Sequence, residues 1–280
     1  MIKNKYSLKD KAANLAKKTN IPNKYIIQNF MFESLLKRIV KSQYKDNFII
    51  KGGFLLSSIF GVNLRSTMDL DTTIKGFSLD IDTITKVINE IIAIDIGDNI
   101  ILKIENIKPI REEEAYGGFN VNLKADFDGL RTNLMIDITT GDIITYKEVE
   151  YNYKTLFDEK IINIMTYNLE TIIAEKFETI ISRNINNSRM KDYYDIYMFA
   201  KLKKNEIDKH TLKEAITNTA KNRLTLDVIK NADQYINLIS QDDNLKKLWK
   251  NYQNNYSYAK TISFGDTINA IELFNKIYNE

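Results

Sequence analysis

The chain has 280 residues, of which 44% are hydrophobic and 28% charged, and a formal net charge of +3. It has no cysteine and a single histidine, His210, which excludes disulfides, thiolate zinc sites and cysteine nucleophiles. Any metal must then be held by hard oxygen ligands, as magnesium, manganese or calcium are, and the charge is too small to mark nucleic acid as a partner.

The composition suits a folded protein with a real core, long enough for two modest domains. The N-terminal residues lack the apolar core of a signal peptide. No run reaches the roughly 18 apolar residues of a membrane span. A cytoplasmic protein without a membrane partner is therefore expected.

Ser7-Leu8-Lys9-Asp10 resembles a capping box and opens a helix through Leu15. A second helix follows Pro22, with Tyr25, Ile26, Phe30, Phe32, Leu35, Leu36 and Ile39 as its buried stripe. Phe48-Ile49-Ile50-Lys51 reads as a short strand ending in Gly52-Gly53, and a short helix from Phe54 to Phe60 comes next. Residues 65–74 read as a loop entering a strand, and residues 78–94 as a helix. Strands are predicted over 101–107, 119–127, 133–139 and 149–153, with turns at Gly117-Gly118, Asp128-Gly129 and Gly141-Asp142.

After Phe157 glycine almost vanishes until Gly265. Helical periodicity dominates over 169–183, 191–201, 208–222, 226–239 and 268–278. The fold class is α+β: a mixed sheet flanked by helices in residues 1–157, then a helical C-terminal lobe, residues 158–280, expected to complete a cleft. His210, in the polar run Asp208-Lys209-His210-Thr211, is expected at the surface.

Asp69 and Asp71 stand two apart, which on a strand puts both carboxylates on one face. Paired carboxylates repel unless a cation neutralises them, and a divalent ion also bridges triphosphate oxygens. Alone, the pair is better read as exposed acids in a turn. Asp137 strengthens the case, because it interrupts the apolar run Leu134-Met135-Ile136-Asp137-Ile138, where an unpartnered charge is costly. Three carboxylates from two strands suit in-line phosphoryl or nucleotidyl transfer. An acid at a strand end, or one paired with lysine, is the plainer alternative. Asp126 and Asp128 are weaker candidates, because Asp128-Gly129 is itself a turn signal.

Gly52-Gly53 ends a strand and opens a helix, where backbone N–H groups bind phosphate and glycine permits close approach. The Gly-Lys-Ser/Thr ending of a P-loop is missing. Arg65 and Thr67 are candidate phosphate contacts. Lys176, Thr179 and Arg183 share one helix face, and Asp192 and Asp195 open the next helix. Spacing alone favours a solvated face with surface ion pairs for these charges. In residues 245–258, lysines interleave with Trp249, Tyr252, Tyr256 and Tyr258. That mix suits RNA, but an amphipathic helix burying Leu248, Trp249 and Tyr252 is the reading favoured.

Phe48-Ile-Ile-Lys-Gly-Gly-Phe-Leu-Leu, Arg65-Ser-Thr-Met-Asp-Leu-Asp, Leu134-Met-Ile-Asp-Ile and Glu175-Lys-Phe…Arg183…Arg189-Met-Lys-Asp-Tyr-Tyr-Asp-Ile together resemble the AbiEii family. These are nucleotidyltransferase-fold toxins of bacterial toxin–antitoxin and abortive-infection systems. The resemblance spans roughly residues 30–200. It implies that Gly52 and Gly53 cradle nucleotide phosphates, with Arg65, Thr67 and Arg183 in the same nucleotide-binding set. It implies that Asp69, Asp71 and Asp137 bind Mg2+ or Mn2+, with Asp137 assisting deprotonation of the attacking hydroxyl. Lys176 resembles the family lysine that contacts triphosphate, and Asp192 the aspartate of its C-terminal motif. One departure is Gly-Gly where many nucleotidyltransferases have Gly-Ser, which leaves the serine contact to the backbone or to Ser57.

By resemblance, the reaction moves a nucleoside monophosphate from a triphosphate to an acceptor hydroxyl and releases pyrophosphate. The acceptor implied is RNA, the 3′ end of tRNA first, and a separately encoded antitoxin is the expected partner. A protein hydroxyl stays open as acceptor. Two competing readings are weighed. Asp69-Leu70-Asp71-Thr72-Thr73 fits the signature of a haloacid-dehalogenase phosphatase, although Arg65-Ser66-Thr67 stands where a buried strand belongs. The other is a non-catalytic nucleotide or RNA binder.

Overall fold

The computed structural model describes residues 2–65, 67–110 and 117–280. Ser66, inside the Arg65–Asp71 motif, lies outside the described residues. The chain divides into two compact units, residues 1–141 with 148–166, and residues 142–147 with 167–280.

The first unit contains helices α1 (Lys5–Thr19), α2 (Asn23–Lys41), α3 (Gly52–Phe60) and α4 (Ile81–Ile92). Its strands are β1 (Phe48–Lys51), β2 (Asp69–Ile74), β3 (Ile100–Ile110), β4 (Gly118–Phe127), β5 (Leu130–Thr139), β6 (Val149–Lys154) and β7 (Ile161–Thr166). They form one mixed sheet in the order β3-β4-β5-β2-β1-β7-β6. β2 runs parallel to β5 and β1 parallel to β7; the other neighbours are antiparallel. Alternation drives the layering. Leu70 and Thr72 of β2, with Leu134, Ile136 and Ile138 of β5, are buried on one face, so Asp69, Asp71 and Asp137 share the other.

Local chemistry sets the helix ends. The cap of α1 is Asn4 rather than Ser7: the Ser7 N–H donates to Asn4 Oδ1 at 2.9 Å, and Ser7 is the N3 partner of the box. Asp80 caps α4 through the Thr83 N–H, and Ile84, Val87, Ile88 and Ile91 bury its apolar stripe. α2 buries Ile26, Phe32, Leu35, Leu36 and Ile39 as its periodicity predicts. It also carries polar fasteners. Gln28 Nε2 donates to the carbonyls of Met68 at 2.9 Å and Asn133 at 3.1 Å, tying the segment before β2 to β5. Arg38 bonds Asp98 and, at 2.8 Å, the Ile100 carbonyl at the start of β3.

β7 lies in the stretch expected to be helical. Ile162, Ile164 and Thr166 point inward while Ile161 and Asn163 are exposed. The outward Ile161 is apolar, and that hides the strand alternation from a composition-based reading.

The second unit holds α5 (Leu169–Arg183), α6 (Met190–Leu202), α7 (Lys209–Asn222), α8 (Leu226–Lys230), α9 (Ala232–Gln241), α10 (Asp243–Asn255) and α11 (Phe264–Asn279). Asn168, Asp208, Asp242 and Ser263 cap α5, α7, α10 and α11. The single helix expected over 226–239 is two, because Asn231 Nδ2 turns back to the Asp227 carbonyl at 2.7 Å and competes with the helical ladder. Phe177, Tyr193, Tyr194, Phe199, Leu212, Ile271 and Phe274 fill the core. In α10, Leu245, Trp249 and Tyr252 are buried, as an amphipathic helix requires. His210 is exposed. Among the described residues no helix is long and apolar enough to cross a membrane.

One buried acid makes the first unit pH-sensitive. Glu33 of α2 is 2% exposed, and its Oε1 accepts the Leu156 N–H at 2.6 Å and the Tyr153 hydroxyl at 3.2 Å. Burial outweighs these donors and pushes its carboxyl from the ordinary 4.5 up to about 7. The folded state therefore holds this proton more tightly than the unfolded chain. The stabilisation is complete below pH 4.5 and is lost as pH rises towards 7. Glu33→Gln keeps an acceptor for both donors. Over that window the unfolding free energy of the wild type, from urea titration, should fall by on the order of 3 kcal/mol if Glu33 acts alone, while that of the variant stays flatter. Parallel pH profiles of the two proteins would refute this role for Glu33.

Candidate functional site

The first cluster is built where β1, α3, β2 and β5 meet. Asp71 pairs with Asp137 across the parallel β2/β5 ladder, and Asp69 pairs with Met135. Adjacent strands lie about 4.8 Å apart, so Asp71 and Asp137 are lateral neighbours and Asp69 is the next position along the same face. Each acid of the lateral pair has its own donor. The Gly53 N–H, in the first turn of α3, donates to Asp71 Oδ2 at 3.2 Å. Asn120 of β4, in register with Asp137, donates through Nδ2 to Asp137 Oδ1 at 2.6 Å. Lys51, in register with Asp71, is 8% exposed and donates to Thr139 Oγ1 at 2.9 Å.

The glycine pair is required sterically. Gly52 has φ +64°, and a Cβ there would lie 1.9 Å from Asp71 Oδ2. A Cβ on Gly53 would meet Thr67 Oγ1 at 2.8 Å and Arg65 Nη2 at 3.5 Å. Arg65 is 6% exposed, and the segment carrying it and Thr67 packs over the start of α3. Gly52, Gly53, Arg65, Thr67, Asp69, Asp71 and Asp137 are thus brought together. Ser57 is not among them. It sits one turn further along α3, 3% exposed, in the wall of a cavity of about 280 Å³ lined also by Asn29, Phe54, Ser58, Tyr151 and Tyr153.

The oxygen donors of the aspartates suit a hard divalent cation. As they stand, however, no three Asp, Glu or His side chains among the described residues are placed to hold a metal ion. The hydrogen bonds account for this: Asp71 is turned to the α3 N-terminus and Asp137 to Asn120.

The second cluster lies within the helical unit. Lys176 of α5 bonds Asp192 Oδ1 at 2.8 Å and Asp195 Oδ2 at 2.7 Å, both on α6. The two acids are 1% and 0% exposed, and the lysine 12%. Arg189 Nε adds a bond to Asp192 Oδ2 at 2.8 Å. Burial alone would raise the Asp192 carboxyl, but the charges of Lys176 and Arg189 outweigh it and hold it below the ordinary range. The solvated-face reading of these charges is therefore wrong. Helical spacing shows which residues share a face, not whether a second helix covers it. Arg183 is separate: it is exposed in the last turn of α5, seven residues and about 10 Å along the axis from Lys176. Thr179 instead accepts from Arg223, which also bonds Glu178 at 2.6 Å.

Lys51, Asn120 and Asp195 went unassigned at the sequence level. Lys51 adjoins the glycine pair, and Asn120 is identifiable only once the β4/β5 register is known. Asp128 is a turn residue with φ +53°, and Asp126, near the end of β4, accepts the Gly129 N–H of that turn at 2.8 Å.

Comparison with known proteins supplies a family and little else. The family model described as nucleotidyl transferase AbiEii toxin, type IV toxin–antitoxin system, matches residues 34–270. A search of the curated proteins finds no match. Among solved structures, the Helicobacter pylori protein JHP933 is 16% identical, with 90% of this chain and 94% of that one covered at a TM-score of 0.48. An antigenic nucleotidyltransferase-like protein of Paracoccidioides brasiliensis is 15% identical, with 71% and 90% covered at a TM-score of 0.40.

Two outcomes are expected. Gly52→Ala forces a Cβ onto Asp71 at a positive φ and should lower the melting temperature, whereas alanine at the positive-φ turn Gly97, with nothing within 4 Å of its Cβ, should cost less. Lys176→Ala leaves Asp192 and Asp195 buried without their shared ammonium and should destabilise by roughly 3 kcal/mol. Adding Asp192→Asn and Asp195→Asn should restore part of that in urea titration.

Proposed function

Because the chain belongs to the AbiEii family, nucleotidyl transferase toxins of type IV toxin–antitoxin systems, we propose that it transfers a nucleoside monophosphate from a triphosphate to an acceptor hydroxyl and releases pyrophosphate. Membership makes it a nucleotidyltransferase, with a nucleoside triphosphate as substrate and an antitoxin as counterpart. The observation that carries the residue assignment is the lateral pair Asp71 and Asp137 beside the N-terminus of α3.

In this reading Gly52 and Gly53 receive the triphosphate through backbone N–H groups and the positive end of the α3 dipole. Arg65 and Thr67, packed against Gly53, add a guanidinium and a hydroxyl. Asp71 and Asp137 hold a divalent ion, Mg2+ or Mn2+, with Asp69 as the neighbouring ligand; when bound, the ion neutralises charge on the triphosphate. Asp137 takes the proton of the attacking hydroxyl, and Asn120 fixes the orientation of its carboxylate. Lys176 contacts triphosphate oxygens, and Asp192 holds its ammonium in place. Arg183 is a weaker member of the nucleotide-binding set, being exposed and away from Lys176. The acceptor is RNA, the 3′ end of tRNA first, because blocking that end stops translation and accounts for toxicity in abortive phage infection within the cytoplasm.

Support for a transferase over a phosphatase comes from the family match and from Arg65 and Thr67 beside the glycine pair. The test is label transfer from each α-labelled nucleoside triphosphate, with Mg2+ and total RNA. Label should appear in an RNA band, and Asp137→Asn should lower the rate by at least about 100-fold, with Asp71→Asn similarly impaired. Undiminished transfer by both variants would remove the acid pair from the mechanism. Label in protein alone would keep the chemistry and change the acceptor.

A further inference from the structure

Residues 244–263 carry four lysines and no acid, and their rings Trp249, Tyr252, Tyr256 and Tyr258 contact one another in series. The inner face of α10 is spent on the core: Trp249 Nε1 donates to the Ile262 carbonyl at 3.0 Å, and the Tyr252 and Tyr258 hydroxyls meet at 3.2 Å. Gln253 Nε2 also donates to the Ile262 carbonyl at 2.7 Å, so the segment after α10 is fastened to the helix it leaves.

Two rows of rings converge on one outward residue. Buried Tyr194 lies 4.8 Å from Tyr258, which stacks at 5.3 Å on Tyr256 with 29° between planes. Buried Trp249 stacks on Tyr252 at 5.5 Å, and Tyr252 lies 4.7 Å from Tyr256. Tyr256 itself is 37% exposed. A ring held by neighbours on its inner side offers an outer surface at little further entropic cost. Lys247 and Lys250, three apart on the outer face of α10, and Lys260 beyond Tyr258 are all exposed. The acids that flank the segment are engaged: Asp243 pairs with Lys246 at 3.0 Å, and Asp266 accepts from Ser263 at 2.7 Å.

We propose that Tyr256, with Lys247, Lys250 and Lys260, is a docking platform for an unpaired stretch of the RNA acceptor; this rests on the reading that the acceptor is RNA. A base stacks on the Tyr256 ring, which tolerates any sequence because every base has a π-face, and the lysines neutralise the backbone on either side. The chemistry matches a single strand and not a duplex, whose stacked bases present no face to a tyrosine. The platform is continuous with α6: Tyr194, at the foot of one row, stands two residues beyond Asp192.

The experiment is fluorescence anisotropy of a 5′-labelled single-stranded RNA of about 12 nucleotides, read across a salt series. Tyr256→Ala should weaken binding about 10-fold, and Tyr256→Trp should restore it. Lys250→Glu with Lys260→Glu should flatten the salt dependence by about 0.7 in slope per lysine. A fully paired RNA duplex should bind weakly, and equally to the wild type and Tyr256→Ala. Wild-type affinity in Tyr256→Ala, with label transfer to RNA intact, would overturn the platform and leave the transferase reading standing. No RNA bound by the wild type, with label entering protein only, would overturn the platform together with the RNA acceptor.

Discussion

Much of the first unit is organised by the need to keep two carboxylates side by side. Asp71 and Asp137 are lateral neighbours on parallel strands, and like charges at that spacing disfavour each other unless something offsets them. The chain offsets them locally. The Gly53 N–H and the positive end of the α3 dipole serve Asp71, the Asn120 amide serves Asp137, and the Lys51 ammonium stands on the same sheet face. The other local features follow. Gly52 must lack a side chain because Asp71 fills the space, and Gln28 must reach both Met68 and Asn133 because those two segments carry the acids. A parallel pairing of strands so far apart in sequence cannot be closed by a short turn, so the site forms only when the whole sheet does.

The helical unit meets a related demand differently. Asp192 and Asp195 are more deeply buried than either acid of the sheet, and one ammonium serves both. Such a cluster is poor value as a stabiliser, since apolar residues of similar size would often do as well. The Arg223–Glu175–Glu178 network, bracing the other side of α5, is more exposed and reads as structural bracing.

What was legible in the sequence was what depends on short-range pattern. The glycine pair, the Asp-x-Asp strand, the interrupted apolar run around Asp137 and most helices follow from periodicity and composition. Elements that depend on distant partners were not. β7 shows an apolar Ile161 to solvent and so loses its alternation, and Asn231 breaks a helix through a side-chain bond that no period announces. The Lys176–Asp192–Asp195 cluster looked like a solvated face because a sequence marks faces without saying what covers them. Asn120 became identifiable only through its register with Asp137, seventeen residues away across a hairpin.

The departure at Gly53 has a physical explanation in the same cluster. Where a serine would place its side chain, Thr67 already stands, with Oγ1 2.8 Å and Cβ 3.0 Å from the ideal Cβ position. A serine at 53 would have to displace the loop that also brings in Arg65. The chain therefore delivers a hydroxyl to that location from residue 67 instead of residue 53, and leaves the helix N-terminus bare so that the loop can close over it. Gly-Gly at these two positions is then a steric requirement. It is the condition for two side chains, one on β2 and one on the loop before it, to approach the first turn of α3 closely.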